Sequence, residues 1–553
     1  MAPGARPGAG PRSHVQTVTM EACIPITLAL GGPAAGAAAP GRAARALRRV
    51  ERAFDPPFGA AANPLRQLGA LSFWFFWIVA VSGVYLYVFF DTSLAGAYES
   101  VERLTREQWY AGGVLRSLHR YAADAFVVVT VLHLLRELVY GRFTGFRWFS
   151  WVSGVPTLVL IAASGIVGYW LVWDELAQFV AVGVTEWVAA LPGFGPEMVR
   201  NFIVGETMSD RFFSLLVFIH IGLPVFLLAA MWIHLQRITR PRTWPERALA
   251  WGSLAMLVGL ALVRPAVSHG PAEVGLAPGT LALDWFYLFA LPAMYASSPV
   301  SVWLAVGGLV AALFVLPWLV RAPRPPVARV SPANCNGCSR CFADCPYAAV
   351  VMRPHPDGRA GKRIAVVLDD LCAACGICAG ACPSSTPFRS GETLVTGIDM
   401  PQLPVDALRA RLERSLAAGK RLIVFGCDRG APVGAAAGAD VAAVSLPCAA
   451  QVPPSFLDYA LRAGAGGVLV ARCPEHDCEF RLGSRWVADR IAGEREPHLR
   501  PSVPRERVRV VEAALEDGAA LAAAVAAFRV ELARLGAPPR GGRVKRVHEE
   551  ARP

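Results

Sequence analysis

The pattern of apolar and polar residues divides the chain into two parts near residue 322. Before that point, long apolar runs alternate with short basic loops, which predicts six membrane-spanning helices. They are expected at 68–90, 112–135, 150–173, 212–234, 248–263 and 298–320. Segments 68–90, 150–173 and 212–234 carry no charge over about 20 residues, the length that a bilayer requires. Residues 56–322 are therefore expected to form an all-α transmembrane helix bundle.

Composition and charge agree with a membrane protein whose basic loops lie on one side. Of the 553 residues, 54% are hydrophobic, and the mean hydropathy is +0.41, more than a soluble protein usually tolerates. Arginines cluster before the first span and after the second, fourth and sixth. With six crossings these clusters face one side, which the positive-inside rule makes the cytoplasm. We expect a multi-pass protein of the cell membrane with both termini cytoplasmic.

The net charge of +12 is explained by these arginines facing anionic lipid. The basic residues form no patch with aromatic side chains, so nucleic-acid binding is not expected. Residues 1–55 predict a disordered, basic lead-in, because 1–40 are rich in Ala, Gly and Pro and lack a signal-peptide pattern. Residues 537–553 predict a basic, disordered tail.

Histidines occur in matched pairs inside two of the apolar segments. His119 and His133 are separated by fourteen positions, and His220 and His234 repeat that spacing. Fourteen helical residues place both imidazoles on one face at two levels, about 21 Å apart. Imidazoles within a membrane are costly unless they are paired or bind a metal. The spacing predicts two haems b, each held by two histidines; the alternative is that the histidines are ordinary core residues.

Glycines in the other two segments share the spacing. Gly69 and Gly83 lie in the first segment, and Gly154 and Gly168 lie in the third. A flat macrocycle between helices needs close approach without side chains, and glycine provides that room. Taken singly, each glycine is an ordinary packing position. Together with the histidines, the four glycines favour two stacked haem sites.

Several stretches carry a resemblance to a known family. "SLHRY", "LHLLRELVYG", "FRWFSWVSGV" and "GYWLVWDELAQF" resemble cytochrome b of the respiratory and photosynthetic bc complexes, over about 60 to 320. The resemblance implies that His119 pairs with His220 around an outer haem, and His133 with His234 around a haem nearer the cytoplasm. It also implies a quinone or menaquinone substrate and a homodimer. The family has eight spans, whereas this pattern predicts six.

The resemblance also implies two quinone sites. The family has a Pro-Glu-Trp-Tyr loop on the outer side, where this chain has Leu283, Asp284, Trp285 and Phe286. Asp284 keeps a carboxylate that could accept a quinol proton, on a shorter arm; the alternative is a solvated loop acid. Arg240 stands where related proteins place a basic residue that contacts quinone on the cytoplasmic side. It is equally explained as a lipid-facing arginine.

Two cysteine runs follow a Pro-rich linker at 323–332. "CNGCSRCFADCP" and "CAACGICAGACP" both fit C-x-x-C-x-x-C-x-x-x-C-P, the run that holds [4Fe–4S] clusters. Residues 333–392 resemble a two-cluster bacterial ferredoxin with an α+β fold, and paired zinc sites are the alternative. In such runs the fourth cysteine binds the other cluster. The expected sets are Cys335, Cys338, Cys341 and Cys382, and Cys372, Cys375, Cys378 and Cys345.

Residues 400–536 predict an α/β domain with an open parallel sheet. "RLIVFGC", "VAAVSLPC" and "GVLVARC" are short apolar runs that each end in a cysteine. The carboxyl ends of parallel strands meet at one edge, so Cys427, Cys448 and Cys473 should gather there, joined by Cys478 from the next loop. Four thiolates suit a [2Fe–2S] cluster, with structural zinc as the alternative.

This last region is similar to the small (delta) iron–sulfur subunit of methyl-viologen-reducing hydrogenases, in "GAGGVLVARCPEHDCEFRLGSRWVADR" and "EDGAALAAAVAAFRVELARLG". That family usually has several cysteines at the first site, where this chain has one. The resemblance implies a hydrogenase, a formate dehydrogenase or a flavoprotein of the heterodisulfide-reductase type as partner. Of 13 cysteines only Cys23 is left without a site. Thiolates kept for metal indicate a reducing compartment, so the iron–sulfur domains should be cytoplasmic.

The combined expectation is a quinone-linked electron-transfer subunit of the membrane. Electrons would pass between two haems, two [4Fe–4S] clusters, one [2Fe–2S] cluster and a cytoplasmic oxidoreductase. No nucleophile or dinucleotide fingerprint is present in the sequence, so substrate chemistry is assigned to the partner. The direction of electron flow stays open. A membrane redox sensor, or an anchor without quinone turnover, is the alternative.

Overall fold

A computed structural model describes residues 41–195, 209–273, 276, 279–320, 325–358, 361–389 and 394–536, apart from the side chain of Phe212. The described residues between 41 and 320 form a helix bundle, and those between 325 and 536, called here the C-terminal half, contain all the described strands. The predicted lead-in before residue 41 and the predicted tail at 537–553 lie outside the described residues. The bundle helices are α1 (Arg42–Ala53), α2 (Asp55–Phe58), α3 (Leu68–Phe89), α4 (Ala97–Arg106), α5 (Val114–Val139), α6 (Trp148–Val172), α7 (Glu175–Ala189), α8 (Asp210–Leu235), α9 (Arg247–Val263), α10 (Ala290–Ala296) and α11 (Pro299–Leu319).

Helices lie at all six positions where the apolar pattern predicts spans. Four are long and apolar enough to cross a membrane: α3, the segment Gly145–Val172 that contains α6, the segment Phe213–Leu235 of α8, and α11. Helix α9 is apolar but has only 17 residues. Helix α5 is long but interrupted by charge, since it contains Arg116, Arg120, Asp124, Arg136 and Glu137. The count of six spans therefore stays a prediction.

The bundle is built from two helix pairs, α3 with α5 and α6 with α8. Apolar side chains such as Leu71, Phe76 and Phe126 fill the space between helices, and the rings of Phe76 and Phe126 are 6.3 Å apart. The outer face of α8 is also apolar, and Phe218 is 73% exposed. An apolar surface of this kind suits a helix that contacts lipid.

Two helices of the bundle differ from the expectation or were missed by it. Residues 42–53, expected to be disordered within the 1–55 lead-in, form α1. The helix is held because Arg52 pairs with Glu516 at 2.7 Å and Glu51 is buried against Arg136 at 2.7 Å. Helix α7 was not predicted because its apolar positions are interrupted by Gln178 and by acidic residues at both ends.

The C-terminal half contains two short antiparallel strand pairs and one parallel sheet. Its helices are α12 (Arg340–Asp344), α13 (Ile377–Ala381), α14 (Val405–Ala417), α15 (Pro454–Arg462), α16 (Gly483–Ala492) and α17 (Gly518–Leu535). Its strands are β1 (Arg329–Val330), β2 (Val350–Pro354), β3 (Arg363–Val367), β4 (Ile398–Asp399), β5 (Leu422–Cys427), β6 (Val441–Leu446), β7 (Gly467–Arg472) and β8 (Val508–Glu512). Strands β1 and β4 pair, as do β2 and β3, and the parallel sheet has the order β6-β5-β7-β8. The predicted open parallel sheet is therefore present.

One hydrophobic core joins the strand pairs to one face of the sheet. Ile377 of α13 and Phe425 of β5 belong to this core, while Phe528 of α17 packs on the opposite face of the sheet. Arg490, which is fully buried, donates hydrogen bonds to Asp344 and to the carbonyl of Ala450. This shared core holds all the cysteine segments of the C-terminal half in one rigid arrangement.

Candidate cofactor sites

The first histidine pair faces across the bundle. The ring centroids of His119 on α5 and His220 on α8 are 6.3 Å apart. Nδ1 of His119 lies 3.0 Å from the carbonyl of Val79 and 3.2 Å from Oγ of Ser82, and Nδ1 of His220 lies 3.1 Å from the carbonyl of Ser164. A carbonyl accepts, so each Nδ1 carries the proton and each Nε2 keeps its lone pair for a metal.

The second pair, His133 on α5 and His234 on α8, lies nearer the C-terminal half. Nδ1 of His234 is 3.1 Å from Oγ of Ser153, and the two imidazoles are close enough to interact electrostatically. The structure thus brings the four predicted histidines together in two pairs at two levels. Both pairs lie between the α3–α5 pair and the α6–α8 pair, and the four imidazoles would be able to hold two haems.

The four predicted glycines contact these histidines directly. A Cβ atom at each glycine would meet Cε1 of a histidine on the neighbouring helix. The pairs are Gly69 with His133 at 3.4 Å, Gly83 with His119 at 3.0 Å, Gly154 with His234 at 3.3 Å, and Gly168 with His220 at 2.9 Å. Each glycine therefore makes room for an imidazole edge. A larger residue there would push the ring away from its partner across the bundle.

Asp284 is held in an ion-pair network and is not a solvated loop acid. Its side chain is 5% exposed, and Arg120 approaches its Oδ2 to 2.6 Å. The hydroxyl of Tyr169 also donates to Oδ2, and Arg120 makes a second ion pair with Asp124. Burial would raise the pKa of Asp284, but the hydrogen bond from Tyr169 and the charge of Arg120 outweigh burial and lower it. Arg120, Asp124 and Tyr169 were not predicted; the charges of Arg120 and Asp124 inside an apolar segment could have indicated these two residues, whereas Tyr169 has no such signal.

Arg240 lies where the bundle meets the C-terminal half. Its guanidinium lies 5.7 Å from the ring centroid of Trp486, and its carbonyl accepts a hydrogen bond from Arg481 at 2.9 Å. Its backbone adopts a left-handed conformation with φ of 49°. The side chain thus faces the C-terminal half, an environment that neither the quinone nor the lipid interpretation had included.

The eight cysteines of the two runs line two cavities. Each cavity is lined by one predicted set, with Cys382 beside Cys335, Cys338 and Cys341, and Cys345 beside Cys372, Cys375 and Cys378. Sγ of Cys345 accepts a hydrogen bond from the amide of Ala349 at 3.2 Å. Burial raises the pKa of the Cys341 thiol to about 12, so ligation there must displace a proton. This division of the cysteines fits two cubanes that exchange their fourth ligands.

The third cysteine set gathers at the carboxyl edge of the parallel sheet. The thiol of Cys427 lies close enough to those of Cys448 and Cys473 to interact with them, and the thiol of Cys473 interacts in the same way with that of Cys478. Sγ of Cys427 also accepts from the amide of Arg429 at 3.4 Å. Across the described ranges, no three His, Cys, Asp or Glu side chains are arranged around a single ion. The four thiols nevertheless form one buried group at the end of β5, β6 and β7, as predicted for a parallel sheet.

Two loops of the bundle bind the cysteine segments of the C-terminal half. Loop 236–240 follows α8, and there Oγ1 of Thr239 donates to the carbonyl of Cys345 at 2.8 Å. The amide of Thr239 donates to the carbonyl of Pro346 at 3.1 Å, and Arg481 donates to the carbonyl of Thr239 at 2.9 Å. The loop that follows the His234 helix therefore contacts a ligand segment of the second cubane site.

Loop 140–147, which follows α5, makes the matching contact. Glu479, next to Cys478, pairs with Arg142 at 3.0 Å and with Arg147 at 3.1 Å. Burial would raise the pKa of Glu479, but the charges of Arg147 and Arg142 outweigh it and lower the pKa. The rings of Phe146 and Tyr347 are 4.6 Å apart. The contacts of loops 140–147 and 236–240 with segments 345–347 and 478–481 are called the junction below.

Sequence comparison matches three family models to the chain in order. Residues 57–241 match "Cytochrome b/b6/petB", residues 334–386 match "4Fe-4S dicluster domain", and residues 426–536 match "Methyl-viologen-reducing hydrogenase, delta subunit". All three predicted resemblances are therefore confirmed. The match to the first model covers both histidine pairs and all four glycines, and the second covers both cysteine runs.

Individual relatives agree with the first match. Cytochrome b6 of Prochlorothrix hollandica is 30% identical over 195 residues, 34% of this chain and 85% of that protein. Cytochrome b6 of Gracilaria tenuistipitata var. liui is 30% identical over 177 residues, 31% of this chain and 80% of that protein. Against the cytochrome b of Dictyostelium discoideum, 33% identical, the match spans 29% of this chain and only 40% of the relative. A solved structure of a hyperthermophilic respiratory Complex III has a TM-score of 0.39 and 20% identity, covering 50% of this chain and 82% of that chain.

Proposed function

The chain belongs to the cytochrome b/b6 family, and on that premise we propose that it links the quinone pool to a cytoplasmic oxidoreductase by electron transfer. The link consists of two haems b, two [4Fe–4S] clusters and a [2Fe–2S] cluster at Cys427, Cys448, Cys473 and Cys478. The protein crosses the cell membrane six times, with the C-terminal half in the cytoplasm. The partner is a hydrogenase, a formate dehydrogenase or a flavoprotein of the heterodisulfide-reductase type, in keeping with the delta-subunit match.

The junction is the observation that carries this proposal. It joins the loop after the His133 helix to a ligand segment of the third cysteine site, and the loop after the His234 helix to a ligand segment of the second cubane site. Electron transfer falls off steeply with distance, so a chain that moves electrons must hold its centres close.

Each residue group has a defined task in this proposal. Haem and iron–sulfur clusters, when bound, accept and donate single electrons. The Nδ1 contacts orient the imidazoles, the glycines make room for them, and the apolar bundle excludes water. Backbone N–H groups such as that of Ala349 point at sulfur and favour the more negative, reduced state of a cluster.

Quinone is the only substrate that we assign to this chain. On the outer side, Asp284 would contact it, and its ionised carboxylate would accept a quinol proton once the ion pair with Arg120 opens. On the cytoplasmic side, Arg240 would lie at the edge of the site and at the junction. Quinol oxidation releases two electrons and two protons, and quinone reduction consumes them, so the same residues serve either direction.

The test uses the full chain in lipid nanodiscs. A quinol analogue is added to the oxidised protein, and reduction of b-type haem is followed by absorbance while the clusters are followed by electron paramagnetic resonance. We expect haem and cluster signals to change together. His133→Ala should remove the haem nearer the junction and uncouple the clusters from quinol, whereas His269→Ala, in a loop between α9 and α10, should do neither. Haem absorbance that changes neither on addition of quinol nor with the redox state of the clusters would support the sensor or the anchor instead.

A further inference from the structure

The first cubane site differs from the other two cysteine sites in its exposure. Of the twelve cysteines that the structure describes, Cys338 alone is exposed, and Cys341 of the same set is buried. The thiols of the third site are all buried, and the junction covers the chain segments beside Cys345 and Cys478. A soluble protein can therefore approach the edge at Cys338 more closely than any other described cysteine.

Basic side chains surround this exposed edge. The backbone of Arg363 lies against it, because a Cβ atom on Gly337 would be 2.4 Å from the carbonyl oxygen of Arg363. The guanidinium of Arg363 donates at 3.4 Å to the carbonyl of Met352, a residue that lines the first cubane cavity. Arg389, which precedes β4 in the chain, donates to Oδ1 of Asn334, next to the ligand Cys335, at 3.2 Å and to the carbonyl of Val395 at 2.9 Å. Both arginines are exposed. Their hydrogen-bond acceptors are neutral oxygens, and among the described residues neither arginine has an acidic partner.

Exposed apolar side chains occur in the same chain segments. Phe342, which follows the ligand Cys341, and Val395 are each 50% exposed. Arg340 adds a further guanidinium that is partly balanced by Glu496 at 3.2 Å. A small apolar centre with a charged rim is typical of transient electron-transfer contacts, in which charge steers the partner and the contact area stays small.

We propose that this surface, formed by Phe342, Arg363, Arg389 and Val395 around Cys338, docks a soluble electron carrier with an acidic face around its own redox centre. The inference rests on the proposed function and adds, beside the oxidoreductase partner, a soluble carrier that exchanges electrons with the first cluster, together with the place and charge of its docking surface. In the step itself, one electron leaves the reduced carrier and enters the first cluster. The carrier is thereby oxidised by one electron and the cluster reduced by one, with no transfer of atoms.

The probe is a reduced plant-type [2Fe–2S] ferredoxin, which is acidic, compared with reduced methyl viologen, which is a small cation. Stopped-flow absorbance follows reduction of the clusters in the full chain. With ferredoxin we expect the second-order rate constant to fall at least about tenfold as salt rises from about 0.02 M to about 0.5 M, because screening removes the steering. With methyl viologen we expect no such fall, since its charge has the sign of the rim.

Charge reversal tests the surface itself. Arg363→Glu and Arg389→Glu should each slow reduction by ferredoxin about tenfold at low salt, with unchanged cluster content and unchanged rates with methyl viologen. The matched control is Arg534→Glu, the same charge change at an exposed position near the end of α17, which should keep the wild-type rate. Equal rates in all three variants would overturn the docking surface.

The two proposals fail in different ways. If ferredoxin reduces the clusters with the expected salt and charge dependence but the haems stay oxidised, the surface stands and the quinone link fails. If the haems are reduced together with the clusters but the rate of cluster reduction depends on neither salt nor the two arginines, the quinone link stands and the acidic carrier is wrong. A slow rate that responds equally to Arg363→Glu and Arg534→Glu would reflect net charge alone and would also refute the surface.

Discussion

Glu479 is the residue on which the junction depends most, and its replacement gives the sharpest prediction. Glu479→Gln keeps the length and shape of the side chain and removes its charge. In the wild type, the carboxylate of Glu479 accepts a hydrogen bond from Arg142 at 3.0 Å and lies 3.1 Å from Arg147. The backbone carbonyl of Glu479 accepts from Arg147 at 2.6 Å and from Tyr347 at 3.1 Å. The carbonyl contacts survive the substitution, so the loss is confined to the two ion pairs.

The size of the effect follows from burial and geometry. The Glu479 side chain is 25% exposed, and those of Arg142 and Arg147 are 15% and 16% exposed. Removing one partner of a buried pair costs about 3–5 kcal/mol. Because both arginines are partly exposed and also pair with Glu137, at 3.5 Å and 3.7 Å, this case lies at the lower limit, about 3 kcal/mol or less. At about 1.4 kcal/mol per factor of ten, the junction should open roughly a hundredfold more often.

Hydrogen exchange of the full chain, read by mass spectrometry, measures that opening. Amides of loop 140–147 and of segment 345–349 should exchange up to about a hundredfold faster in Glu479→Gln. Electron transfer between the clusters and the haem should be slowed in the same variant. Because the pKa of Glu479 is lowered, its carboxylate is ionised at neutral pH and its contribution is lost only in acid. The difference between the variant and wild type should therefore be the same at about pH 6 and pH 8.

The control lies in the same loop. The side chain of Glu475 is 54% exposed, and its ion pair with Arg472 is long, at 3.9 Å. Glu475→Gln should therefore lower the stability of the junction by about 0.5 kcal/mol or less. Both variants lose one negative charge near the third cysteine site, so a change in the potential of its cluster would affect both. Equal exchange rates in Glu475→Gln and Glu479→Gln would show that the ion pairs do not hold the two halves together.

Three further predictions concern the sites themselves. Gly168→Leu should displace the adjacent imidazole and abolish one b-type haem signal, whereas Gly222→Leu, where a Cβ atom meets nothing within 4 Å, should keep both. Cys478→Ser should remove the magnetic resonance signal of the third cluster and preserve both cubane signals. Asp284→Asn should lower the free energy of unfolding of the bundle by about 1–3 kcal/mol. Since the pKa of Asp284 is lowered, this loss should persist from about pH 6 to pH 8 and vanish only in acid.

The parts that sequence predicted well depend on local periodicity. Apolar runs placed helices at all six expected positions, because a helix that faces apolar surroundings needs apolar residues all round. The cysteine sets could be predicted equally well, since three of the four ligands in each run are close in sequence. The histidine pairs were found because a fourteen-residue separation keeps two side chains on one helix face.

The junction could not be predicted in this way. Arg142 and Arg147 served in the sequence only as positive charges that orient the loops, and nothing in their neighbourhood points to Glu479, which is 337 positions from Arg142. The contact between Thr239 and Cys345 spans 106 positions and runs through a backbone carbonyl, which has no sequence signature. Helix α1 was missed for a similar reason, since its arginines find Glu516 at the far end of the chain.

The junction also determines which histidine level lies next to the clusters, and it does so without reference to the distribution of arginines between the loops. Loops 140–147 and 236–240 follow the helix ends that carry His133 and His234, and both loops bind cysteine segments of the C-terminal half. The second histidine level must therefore lie on the side of the clusters, whichever side of the membrane that is. Positive-inside arginines decide only whether this side is the cytoplasm. A topology experiment that placed the C-terminal half outside would reverse the direction of electron flow relative to the membrane potential and leave the order from clusters to His133 to His119 intact.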